Sequence, residues 1–196
     1  AAAAVPTHTT TQHPLTSERT DTNRVAVLVV ASDRGMAGAY SASIIRETER
    51  LVERLTAEGK EVALYAAGRR AIQYYTFRGR ELAGTWSYGS DAPNAEVAGE
   101  IAETLLGAFL APAAEGGVSE LHIVYTQFVN MVTQRPRVVR MLPLEVVEGV
   151  APAGKHDVLP LYDFEPSPEA VLDALLPRYV RRRSFSCLLE AAASEL

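Results

Sequence analysis

A single cysteine, Cys187, stands in the 196 residues of this chain. One thiol closes no disulfide within the chain and builds no thiolate metal cluster. It suits a reducing compartment. No apolar run approaches the ~18 residues expected of a membrane-spanning helix. Neither G-x-G-x-x-G nor G-x-x-x-x-G-K-[S/T] occurs, so both common phosphate-cradling fingerprints are missing. The histidines, His8, His13, His122 and His156, lack a second ligand at helical i+3 or i+4 spacing, and metal binding is not expected. There is no G-x-S-x-G elbow for a serine nucleophile. An excess of positive charge is lacking too: the net charge is −5, whereas a nucleic-acid binder is expected to be basic. What remains is ordinary. With 47% hydrophobic and 22% charged residues, the chain is long enough and apolar enough for one domain with a proper core and appendages.

The patterning is that of an α/β protein. Arg24 to Ser32 is a continuous apolar run with Val25, Val27, Val29 and Val30, which suits a strand buried on both faces. From Ser41, Ile44, Ile45, Leu51, Val52 and Leu55 fall at helical spacing, and Gly59 ends the pattern. Glu61 to Ala67 is a second strand, so the three pieces form a βαβ unit with the usual right-handed crossover. Arg69 to Tyr75 reads as a short helix and Glu81 to Trp86 as a weak strand. Asp91 to Asn94 opens a helix striped by Val97, Ile101, Leu105, Leu106 and Phe109. Glu120 to Phe128 is a strand. Pro136 to Val147 is another, made irregular or an edge by Pro143. Val158 to Phe164 is a last short strand. In E-P-S-P-E (Glu165 to Glu169), Ser167 can cap a helix that starts at Pro168. Pro177 is expected to break or kink that helix. The residues before Arg24, rich in Ala, Thr and His, read as a linker.

Few residues suggest chemistry. The turn between the first strand and helix, R-G-M-A-G (Arg34 to Gly38), has glycines at a helix start, where anions are favoured. Its spacing fits no phosphate motif, and a structural turn is the plainer reading. His122 reads as a satisfied structural histidine. Cys187, among Phe185, Leu188 and Leu189, reads as a packed thiol. Two basic clusters stand out. Arg69, Arg70, Arg78 and Arg80 are interleaved with Tyr74, Tyr75 and Phe77; Arg178, Arg181, Arg182 and Arg183 form the other. Aromatics among arginines can hold single-stranded nucleic acid. Given the acidic total, a solvated face or a protein contact is the stronger reading.

The stretch S-D-R-G-M-A-G-A-Y-S (32–41) resembles the S-D-R-G-L-C-G turn of the gamma-subunit family of rotary F-type ATP synthases. The resemblance continues in order through A-G-R-R-A-I-Q-Y-Y-T-F-R-G (67–79), E-L-H-I-V-Y-T-Q-F-V-N (120–130), R-M-L-P-L (140–144), Y-D-F-E-P-S-P-E-A-V-L-D-A-L-L-P-R-Y-V (162–180) and L-L-E-A-A-A-S-E-L (188–196). The style resembles bacterial members, actinobacterial ones among them. Where the family has Leu-Cys-Gly this chain has Met36-Ala37-Gly38, so any role of that cysteine is absent, as is the paired-cysteine insert of chloroplast forms.

The resemblance implies a three-layer, Rossmann-like α/β domain with a mostly parallel sheet, flanked by truncated stubs of the terminal coiled-coil helices. An axle of ~60 Å needs about 40 residues of helix per strand, and no such segments are expected here. The implied division is a linker and end of the N-terminal axle helix in 1–23, a globular domain in 24–166, and a helix leading into the C-terminal axle in 167–196. The implied function is that of a non-catalytic rotor subunit in the central stalk of a proton-translocating ATP synthase, needing no cofactor. Its partners would be the epsilon subunit, the alpha and beta subunits and the membrane c-subunit ring, with no nucleic acid. Its place would be peripheral, on the cytoplasmic face of the bacterial cell membrane. The family's turn that contacts a partner, the membrane ring or epsilon, carries over to Tyr162, Phe164 and Glu165. The alternative is a small-molecule-binding enzyme of the doubly wound type, with its ligand at the carboxyl ends of the strands.

Overall fold

The computed structural model describes residues 13–31, 38–87, 95–130, 132–148, 158–161 and 168–193. Its centre is a sheet of five strands in the order β3-β2-β1-β4-β5. Strands β1 (Arg24–Val30), β2 (Glu61–Ala67), β3 (Gly84–Trp86) and β4 (Glu120–Phe128) are parallel, and β5 (Gln134–Leu142) returns antiparallel to β4. The apolar runs read from sequence are thus the central strands, where both faces are covered. Helix α1 (Gly38–Ala57) makes the β1-to-β2 crossover, α2 (Arg69–Phe77) leads from β2 to β3, and α3 (Ala95–Leu110) leads on towards β4.

Alternation along the strands divides the core into two layers. Val25, Val27, Val29, Leu64, Ala66 and Val124 face α1 and α2 and pack with Ile44, Leu51, Leu55, Ala71 and Tyr75. Ala26, Leu28, Val30, Tyr65, Leu121, Ile123 and Tyr125 face the other way, towards α3 and the final helix α4 (Pro168–Ala193). The result is the expected α/β arrangement: helices on both faces of a mostly parallel sheet.

The edges differ in detail from the sequence expectations. The weak strand shrinks to the three residues of β3, where Trp86 stacks on Tyr65 with centroids 6.1 Å apart. The segment from Pro136 to Val147 is two strands, not one. Strand β5 ends at Leu142, the Leu142–Pro143 peptide is cis, and β6 (Glu145–Glu148) pairs in parallel with β7 (Val158–Leu161). Pro136 lies in β5, an edge of the five-stranded sheet, where a missing N–H is tolerated. Helix α4 starts at Pro168 as expected but runs on through Pro177. One backbone bond is necessarily lost there, yet Leu176 and Val180 are fully buried on either side and Cys187 lies further along the same core, so packing holds the helix across the proline.

Part of the stretch read as linker is docked on the domain. Leu15 is buried in the α3–α4 layer, and its carbonyl accepts from the Leu144 amide at 2.7 Å. The Arg19 guanidinium donates to the carbonyls of Phe109, Ala111 and Val118 at 2.7, 2.8 and 3.2 Å, and Asp21 holds its other edge. Scattered single residues carry this docking, which leaves no periodicity to read in the sequence.

Candidate interaction surface

Tyr162, Phe164 and Glu165 lie outside the described residues, as does the turn from Ser32 to Ala37. The first basic–aromatic cluster lies inside them, and the fold gives it a definite shape.

Helix α2 is entered through Gly68, whose φ of 100° is open to glycine and strained for other residues. From there, 3.6-residue periodicity sends Ala71 and Tyr75 into the core and turns Arg70, Gln73, Tyr74 and Phe77 outward. On α1 the matching stripe is Ala42, Ile45, Arg46 and Glu49. The two stripes, with Arg78, wall an open groove of about 750 Å³. Its wall is fixed across the helices by the Tyr75 hydroxyl, which donates to Glu49 Oε2 at 2.9 Å. Burial, and then that hydrogen bond, push the Tyr75 phenol far above its ordinary range, so it is a permanent donor. Tyr74 meets the Tyr75 ring edge-on at 5.0 Å, and the Arg78 guanidinium lies over the Tyr74 ring at 4.5 Å. Phe77, at the end of the stripe, is 92% exposed.

The structure therefore sorts the cluster. Arg70, Arg78, Tyr74 and Phe77 come together on the groove, Tyr75 is its support, and Arg69 and Arg80 are not part of the lining. Arg46 and Glu49 belong to it and were missed. Their i, i+1 and i+4 relation to Ile45 is a signal only once α1 is known to lie beside α2. Three guanidinium groups face one carboxylate already engaged by Tyr75. The groove offers positive charge, aromatic faces and apolar surface, and its described lining residues include no nucleophile and no free acid–base pair: it is built to bind.

The remaining candidates are structural. His122 is buried in β4, and its Nε2 lies 2.7 Å from Glu120 Oε1. Cys187 is a buried thiol, packed as expected. Of the second basic cluster, Arg178, Arg181 and Arg182 are exposed on α4. No group of acidic, histidine or cysteine side chains suited to a metal ion occurs among the described residues. No helix there is long and apolar enough to cross a membrane.

The whole chain, residues 1–196, matches the ATP synthase family. Over all 196 residues it is 66% identical to the ATP synthase gamma chain of Beutenbergia cavernae and 53% identical to that of Kineococcus radiotolerans. The chain belongs to the ATP synthase gamma chain family. It spans 66% and 65% of the length of those two gamma chains, just under two thirds. Among solved structures it is similar to a chain in the central stalk and c-ring of the Tetrahymena thermophila mitochondrial ATP synthase, with a TM-score of 0.63 and 17% identity over 91% of this chain and 74% of that one. A chain of the Euglena gracilis mitochondrial ATP synthase gives a TM-score of 0.60 and 14% identity, covering 91% of this chain and 61% of its own. At such identities the likeness is one of fold.

Proposed function

We propose that this chain is the globular foot of the central stalk in a proton-driven ATP synthase, a mechanical linker that catalyses nothing itself. Torque from the membrane c-subunit ring passes through this domain to the axle and so to the alpha and beta subunits, with epsilon packed beside it. The complex sits on the cytoplasmic face of the bacterial membrane, and this chain is peripheral to it. The observation that carries the reading is the 66% identity to a gamma chain along every residue of the sequence. The fold suits such a role. A sheet clamped between helix layers deforms little under load, and a torque-bearing contact needs rigidity and complementary charge more than a pocket.

The ring contact falls to Tyr162, Phe164 and Glu165. An exposed carboxylate contributes about 0.5 kcal/mol or less to folding, but a reversed charge at a charged interface is costly. Glu165→Lys in a gamma chain of full family length should leave the thermal midpoint unchanged and weaken ATP-driven proton pumping in membrane vesicles. Normal pumping at an unchanged midpoint removes Glu165 from the contact, and a large fall in midpoint makes it a structural residue. For the chain alone, ATP hydrolysis that copurifies with it and disappears on mutating a residue within it would overturn the non-catalytic reading.

A further inference from the structure

The α1–α2 groove is a surface built by residues 42–49 and 70–78. We propose that it docks an acidic, amphipathic helical segment of a partner polypeptide, whatever assembly the chain joins. Charge complementarity is the first ground. In a chain of net charge −5, Arg46, Arg70 and Arg78 converge on one groove with a single carboxylate, Glu49, among its described lining residues. The acidic chain thus presents a local basic site, which selects a partner of opposite sign and speeds its encounter.

Shape is the second ground. Each wall is a stripe at i, i+3, i+4 and i+7, about 10 Å of helix. The Ile45 and Tyr74 side chains line the groove between the cations. An apolar floor with a basic rim receives a helix whose apolar stripe points down and whose carboxylates flank it. Phe77, 92% exposed at the end of the groove, is an anchor without its pocket, and exposed aromatics beside arginines are typical of interface centres.

A polypeptide fits better than a nucleic acid. The Tyr74 ring is already covered by Arg78 at 4.5 Å and offers no free platform to a base. Glu49 would repel a continuous phosphate backbone, whereas a peptide can set an apolar residue opposite it.

The test uses the purified chain and a labelled synthetic peptide of about 18 residues, long enough to hold a helix, with leucines on one face and glutamates flanking them. Fluorescence anisotropy should show binding that weakens as salt rises. Arg70→Glu with Arg78→Glu should weaken it about tenfold or more, and Phe77→Ser by about tenfold. Phe77 and Arg78 are exposed and Arg70 is only half-buried, so unchanged thermal midpoints are expected and serve as the folding control. A peptide with lysine flanks should fail to bind. Several results would overturn the proposal: no binding of the acidic peptide, equal binding of the lysine peptide, tighter binding of an oligothymidylate, or self-association of the chain that Phe77→Ser abolishes.

Discussion

Glu49 on α1 accepts a 2.9 Å hydrogen bond from the hydroxyl of Tyr75 on α2, and this bond joins the two walls of the basic groove. Tyr75 is almost wholly buried while Glu49 is exposed. Removing the hydroxyl therefore strands no buried partner. Tyr75→Phe should cost about 1 kcal/mol at neutral pH, the net worth of one such bond, read as a fall in urea midpoint. The phenol has a pH signature as well. Its pKa is raised in the folded state, first by burial and then by Glu49. In the unfolded chain it ionises near pH 10. Its contribution is complete below that value and is lost as pH rises above it. Tyr65, also raised by burial, adds a similar loss. Tyr75→Phe should retain more of its stability than wild type between about pH 10 and 11. Equal alkaline losses in the two proteins would sink this assignment.

Arg19 closes the C-terminal end of α3 by donating to the carbonyls of Phe109 and Ala111, and it reaches Val118 beyond. Those carbonyls are among the acceptors a helix end leaves without intrahelical partners. Arg19→Ala should cost about 2 kcal/mol, within the range for leaving part-buried acceptors unmet. Gly117 makes the clamp possible. A Cβ there would run into the Ala111 carbonyl oxygen and lie 2.8 Å from Arg19 Nη1. Gly117→Ala should therefore destabilise in the same way, and hydrogen exchange at the end of α3 should quicken in both variants. If both leave exchange and midpoint unchanged, Arg19 is a surface residue that merely lies there.

How far the sequence could be read follows the range of the interactions. The strands β1 and β2 are apolar after their first residue and β4 is largely apolar, because both faces are buried, so no tertiary knowledge is needed to find them. Helices α1 and α3 show their buried stripes in the same way. What depends on one long-range contact is invisible: Leu15 under Leu144, Arg19 on α3, and the burial of Leu176 and Val180 that carries α4 past Pro177. The basic–aromatic cluster was visible as composition. That Tyr75 turns inward while Phe77 turns outward follows from periodicity, but the partnership of Arg46 with Arg70 needs the packing of α1 beside α2. The family was legible from ordered blocks of resemblance, a signal that folding physics does not supply.

Gly99 lies on the face of α3 that meets α4, where a Cβ would come 2.5 Å from Nη2 of Arg181 and 3.0 Å from its Cζ. Those atoms are the far end of a flexible, exposed side chain and can move away. Alanine is worth about 1 kcal/mol more than glycine inside a helix. Gly99→Ala should therefore stabilise the chain by up to about 1 kcal/mol, while Gly99→Leu should destabilise it by overpacking the helix contact. Thermal midpoints of the two variants decide the matter. A loss of stability in the alanine variant would mean that the Arg181 guanidinium is anchored where it lies.

His122 should govern stability on the acid side. It sits beside a bulge, since Leu121 pairs with Leu142 while His122 pairs with Arg140, so Met141 is the extra residue of β5. Burial lowers its pKa, the nearby Arg54 and Arg140 lower it further, and the Glu120 carboxylate only partly offsets them. The ring is therefore neutral in the folded state, with Nε2–H donating to Glu120, whose other oxygen accepts from Lys60 Nζ at 3.0 Å. The unfolded chain protonates this histidine near pH 6.5. Its contribution is thus complete above that value and is lost as pH falls below it, towards the lowered folded value, at up to about 1.4 kcal/mol per pH unit. Glu120 adds a later loss. Burial raises its carboxyl, but the bonds from His122 and Lys60 outweigh that and hold it below its ordinary range, so its contribution disappears only in stronger acid. His122→Gln keeps a donor for Glu120 and removes the titration. Urea midpoints measured between about pH 7 and 5 should fall for wild type and stay level for the variant. Parallel curves through that window would show that His122 keeps its proton equilibrium on folding, and the acid sensitivity would then belong to the carboxylates alone.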